Sequence, residues 1–319
     1  MSLIVDLEKI KIIHGHSDYV ETIAVSHMSG TVMTCGRDGK VLLWDSCLNE
    51  SVFSWIPYNG RELYHADMSD DTNIILACNS QSKEAILFNR ITHESFSVPL
   101  LEYCHSPRLN CKDMSIVSHF GKTIYKIHLF NHKGVERICN VGSPIRSCHY
   151  FRSKEHLIVV TKNGLVQIID LSRKMLIATL PKYYSKIAFI TSSYDNSFIA
   201  VGDKRENIVD LWKIDLCSQR VLLEKIVTFC IPNNLHKALL SNVQVAFIDE
   251  SCAFVCPIPM PLFFVDFRRG EIQIFDDIGY CDNFLVNPKQ NLIYLPYGKI
   301  NGSVIVFSYK KSLSDDTES

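Results

Sequence analysis

No run in this chain approaches the roughly eighteen consecutive apolar residues that a membrane-spanning helix requires. The opening residues, MSLIVDLEKIKII, break their apolar positions with Asp6, Glu8, Lys9 and Lys11, so an export leader with an unbroken hydrophobic stretch is not expected. Net charge is missing as well. With 33 Lys and Arg against 34 Asp and Glu, the formal charge is −1, which removes any whole-chain argument for a membrane surface or nucleic acid as partner. Only local basic patches are left to consider. Catalytic signatures are also absent, with no G-x-S-x-G elbow, no G-x-x-x-x-G-K-[ST] phosphate loop and no H-E-x-x-H.

Cysteine, by contrast, is plentiful, at 12 residues. Without an export signal the thiols are expected to be reduced and to serve as small core residues, and the chain is expected to be intracellular, in cytoplasm, nucleus or both. The sequons at Asn49 and Asn301 then carry no glycan. Metal binding is not expected either. Cys252 and Cys256 lack a second pair at zinc-site spacing, and His128 and His132 straddle a strand end rather than a helix turn. No cofactor is implied. Cys148-His149 reads as packing rather than as a nucleophile with its base.

One stretch stands out, residues 14–45, HGHSDYVETIAVSHMSGTVMTCGRDGKVLLWD. Asp38-Gly39 lies between two apolar-rich runs, residues 31–37 and 40–44, and this is a strong hairpin signal because Gly accepts φ > 0 and Asp caps its own turn. With Gly15-His16 at its start and Trp44-Asp45 at its end, the stretch resembles a WD40 repeat, one blade of a β-propeller. The resemblance implies that His16, Thr34, Asp38 and Trp44 form a hydrogen-bonded chain of structural purpose. It would satisfy buried polar groups that otherwise cost about 1–3 kcal/mol each.

If Trp44 ends the third strand of a blade, equivalent ends should recur about every 40–45 residues. Phe88, Phe130, Ile169, Trp212, Val265 and Phe307 satisfy this, with one longer step between Trp212 and Val265. The expectation is an all-β fold, a seven-bladed WD40-like propeller over residues 1–309, followed by a disordered polar tail at 310–319. Too little chain follows Phe307 for another outer strand, so residues 3–13 should close the ring by completing the last blade. In the fourth unit Val141, Val159 and Ile169 replace His16, Thr34 and Trp44 while Asn163-Gly164 keeps the turn; a joint apolar replacement leaves few orphaned polar groups. The extra residues of the long step fall at 230–240, a candidate partner loop, and Pro257, Pro259 and Pro261 should stiffen a turn in the sixth unit.

In a propeller the loops leading into the inner strands, together with the turns between the two middle strands, make one broad face. That face should carry Tyr19, Glu21, Arg37, Arg146, Lys162, Lys186 and Arg205. The resemblance implies a non-enzymatic scaffold that binds other proteins of an intracellular complex, as a monomeric propeller within a hetero-complex and without a membrane. Three alternatives follow from the same fold: a substrate receptor of a ubiquitin ligase, a non-catalytic subunit of an RNA-modifying enzyme suggested by the basic members of the face, and a WD40-like hydrolase with a face histidine as base.

Overall fold

The computed structural model describes residues 3–313 except 27, 46, 80, 101–106, 111–113, 130–133, 152–155, 183, 185–186, 194–196, 204, 207, 217–220, 231–242, 250–251, 258–261, 276–277, 279–283 and 298–301. Seven antiparallel four-stranded sheets form seven blades, and no α-helix occurs among the described residues. Blade one is built from Val20–Val25, Val32–Gly36, Val41–Trp44 and Ser51–Trp55, in that spatial order from the axis outward. The next five blades repeat this up-and-down order.

The strand ends expected from periodicity fall on third strands: Phe88 in Glu84–Asn89, Ile169 in Val166–Asp170, Trp212 in Ile208–Asp215, Val265 in Leu262–Asp266 and Phe307 in Ser303–Leu313. In blade three the third strand is Thr123–His128, and Phe130 itself lies outside the described residues.

Burial explains why some strands were easier to read than others. Second and third strands, such as Val32–Gly36 and Val41–Trp44, are buried along their whole length because both faces pack on neighbouring blades. Outer strands, such as Ser51–Trp55, stay half-exposed. There are accordingly seven apolar clusters, each filled from two adjacent blades. Between blades one and two, for example, Met33, Cys35, Val41 and Leu43 meet Ala66, Met68, Ile75 and Ala77. Burial lifts the Cys35 thiol to about 12, so it is an inert core group.

Closure of the ring uses both ends of the described chain. Leu3–His14 pairs antiparallel with Ser303–Leu313 and is the outer strand of blade seven. The seventh cluster then joins Ile13, Val304 and Val306 to Val20, Val32 and Trp44 of blade one. A correction concerns the boundary of the tail. Lys310, Lys311, Ser312 and Leu313 are strand, paired with Asp6, Val5, Ile4 and Leu3, because the long closing strand offers ladder partners beyond Tyr309. Residues 314–319 lie outside the described set, as do 231–240 of the expected partner loop and Pro259 and Pro261.

Candidate interaction face

The first blade positions its polar chain through a tight approach. A Cβ on Gly15 would sit 2.5 Å from the Trp44 ring, so only glycine lets the backbone cross the indole here. Trp44 Nε1 donates to Thr34 Oγ1 at 2.9 Å, and Thr34 Oγ1 lies 2.8 Å from His16 Nε2. His16 Nδ1 is 2.9 Å from Asp38 Oδ1, and the Asp38 carboxylate also accepts the backbone N–H of Ser17 and Lys40. Burial alone would raise the Asp38 pKa. The His16 hydrogen bond and charge and the two backbone donors outweigh it and hold the carboxyl below its ordinary range. His16 and Thr34 are buried and the Thr34 hydroxyl accepts from the indole, so the chain ties the entering loop to the blade.

Blade five solves the same problem with other residues, which the sequence reading missed. Trp212 Nε1 donates to Tyr184 Oη at 2.8 Å, and Tyr184 Oη donates to Asp210 Oδ2 at 3.1 Å. The Asp210 side chain is 0% exposed and is flanked by Lys182 Nζ at 2.9 Å and Lys225 Nζ at 2.8 Å. Thr228 Oγ1 donates to its other oxygen at 2.7 Å. Burial again pushes the carboxyl upward, and the Lys225, Thr228 and Lys182 contacts reverse this and lower it. The available signal was an aspartate two residues before the tryptophan in NIVDLWK. Its partners come from the preceding loop and the outer strand, so no local pattern announces them. In blade four Val141, Val159 and Ile169 are buried in one cluster, with Thr161 donating to Asn163 Oδ1 at 2.6 Å beneath the turn.

On the broad face, Tyr19, Glu21 and Arg37 converge. Arg37 Nε donates to Glu21 Oε1 at 2.5 Å, while the guanidinium carbon stands 4.9 Å from the Tyr19 ring centroid and 5.8 Å from that of Tyr64. Tyr64 belongs to the loop leading into blade two and donates to Glu62 at 2.6 Å, so the cluster bridges two blades. It was not foreseen, because a residue just before an inner strand has no spacing signature. The Glu21 hydrogen bond raises the Arg37 pKa, keeping it cationic. Arg37 retains 40% exposure of its side chain.

The remaining face residues behave differently. Arg146 spans two blades by donating to the Ile187 carbonyl at 2.7 Å. Lys162 and Arg205 are exposed in turns of blades four and five, and Lys186 lies outside the described residues. Among the described residues, no group of three or more His, Cys, Asp and Glu side chains is arranged to hold a metal.

Seven four-stranded blades closed by the N-terminal strand define a seven-bladed β-propeller, and the indole-to-carboxylate chain marks its first blade as similar to a WD40 repeat. Comparison with known proteins agrees. The family model described as WD domain, G-beta repeat matches residues 7–45, the stretch that carries the motif. No curated protein matches the sequence. Among solved structures, the Cps50 (Swd1) β-propeller domain of Myceliophteria thermophila superposes with a TM-score of 0.77 at 12% identity, covering 95% of this chain and 99% of that one. At that identity the likeness establishes the fold and leaves ligands and partners to the chain's own residues.

Proposed function

We propose that this chain is a non-enzymatic interaction scaffold, one subunit of an intracellular protein complex, and that it docks its partner on the face bearing Tyr19, Glu21, Arg37 and Tyr64. The observation that carries this reading is the Arg37 cluster. A guanidinium within reach of two phenol rings and fixed by a carboxylate is held in place before binding, so less side-chain entropy is lost when a partner covers it. Tyr and Arg are also the residue types that most often anchor interfaces. The whole ring supports the cluster, since each inner strand is held by the blade behind it and moves little on binding.

The basic members of the face support an RNA partner poorly. Among the described basic members, Arg37 is paired with Glu21 and Arg146 donates to a backbone carbonyl, which leaves Lys162 and Arg205.

The test is affinity purification of the full chain followed by mass spectrometry, repeated with Arg37→Glu and Tyr64→Ala after confirming that each variant keeps the wild-type melting temperature. The expected result is loss of a shared set of partners from both variants and its retention by Lys174→Ala on the outer side of blade four. An unchanged partner set in the first two variants refutes the choice of face.

A further inference from the structure

The ring has a second end. In blade one the inner strand starts beside Tyr19 on the face just described and finishes at Ser26, where it turns into its hairpin. At that finishing end a cavity of about 550 Å3 opens on the axis. Register brings Asp67, Arg108 and His149 of blades two, three and four to one level of its wall. Each lies two residues before the position, Ser69, Asn110 or Phe151, that pairs with the start of the second strand at Ile74, Ser115 or His156. The three are one repeat apart in sequence, so aligning the blades by their hairpins brings them into one column.

Their charges are not mutually satisfied. Asp67 is already engaged, its oxygens accepting the backbone N–H groups of Met68 and Leu109 at 3.0 Å each. Arg108 is half-buried, yet among the described residues no carboxylate reaches ion-pairing distance and its guanidinium donates no hydrogen bond. The imidazoles on either side supply no counter-charge. Burial first, and then the Arg108 charge, pushes His65 down to about 3 and His149 to about 4, so both are neutral near pH 7. His65 Nε2 is buried without a hydrogen-bond partner, while the ring bonds the Pro107 carbonyl through its other nitrogen. A half-buried guanidinium without a counter-ion on the wall of a cavity is open to an anionic partner from outside.

We propose that the axial cavity binds a small organic oxyanion, its charged head on the Arg108 guanidinium beside His149 and its apolar body against the part-exposed Ala24, Val25 and Leu285. A planar guanidinium offers paired donors that match a carboxylate or phosphate. The cavity lies within the size range of small-molecule sites, and its wall is about as polar as it is apolar. Asp70 lies at the exposed rim, where water screens its charge. This site is independent of the partner face.

The experiment measures the melting temperature of the full chain at constant ionic strength with phenyl phosphate, benzoate and inorganic phosphate, for wild type, Arg108→Met and His149→Asn. Wild type is expected to gain several degrees at millimolar phenyl phosphate or benzoate, with less gain from inorganic phosphate. The headgroup that gives the larger gain identifies a phosphate or a carboxylate ligand. Arg108→Met should lose this response while its ligand-free melting temperature stays equal or rises by about 2 °C, because an uncompensated charge has been removed. His149→Asn should weaken binding about tenfold and serves if Arg108→Met fails to fold. No response in wild type, or an undiminished response in both variants, overturns the proposal, as does stabilisation by inorganic phosphate alone.

Discussion

Thr34 carries more than its size suggests, because its hydroxyl lies between an indole donor and an imidazole nitrogen, both buried. Thr34→Val keeps the shape and strands both partners, so it should cost about 1–3 kcal/mol in urea unfolding. Trp44→Ala, which also empties a cluster shared by blades seven and one, should cost about 3–5 kcal/mol. The carboxylates add a pH dependence whose sign is fixed. Asp38 and Asp210 both titrate lower in the folded chain than when unfolded, so their stabilisation is complete above the ordinary carboxylate range and is lost as pH falls through it toward their depressed values. Melting temperature should therefore decline below about pH 4, and Asp210→Asn should make that decline shallower. At neutral pH the same change should cost about 2–3 kcal/mol, less than for a fully buried pair because Lys182 and Lys225 reach water. The blade-one chain was legible because its four members match the positions that the WD40 resemblance implies. The blade-five network was not, since Tyr184, Lys182, Lys225 and Thr228 converge on Asp210 from separate segments.

At the level of the strand, turns and edges matter most. Gly39 has φ +76°, and a Cβ there would lie 2.5 Å from the Gly60 carbonyl carbon in the loop leading into blade two. Gly39→Ala should thus cost at least about 1–2 kcal/mol from the backbone conformation, before the clash between blades is counted. The closing strand is secured by an unusual edge contact. Gln273 in Glu271–Phe275 uses its side-chain amide as a substitute backbone, accepting from Val5 N–H and donating to Val5 C=O at 2.8 Å each. Gln273→Leu removes both bonds, and hydrogen exchange at Val5 should speed up about 5- to 30-fold while exchange at Ile13 is little changed. Doubly buried middle strands read plainly as apolar runs bounded by turns. The inner strand of blade three, only Arg108–Asn110, offers too few residues for any period to appear, and half-exposed outer strands such as Val135–Asn140 alternate too weakly to be told from loops.

For the molecule as a whole, the count of seven followed from the blade length that the WD40 resemblance implies, because the spacing of third-strand ends survives even where most of the motif residues are replaced. What periodicity could not supply was the extent of the closure, since the polar residues Lys310 to Ser312 look like tail until their ladder with Ile4, Val5 and Asp6 is seen. Deleting residues 1–14 should leave blade seven with three strands and convert a single cooperative unfolding transition into a broad one with early loss of that blade, measurable by circular dichroism and proteolysis. The same arrangement sets the order of events during biosynthesis. The strand Leu3–His14 leaves the ribosome well before the segment it pairs with, Ser303–Leu313, so the nascent chain carries an unmatched edge while the residues between them are made. Shielding of that edge by a holding chaperone, rather than the intrinsic folding speed of any blade, should therefore govern the yield of active ring, and raising chaperone levels should increase it more for this chain than for a circular permutant opened between two blades.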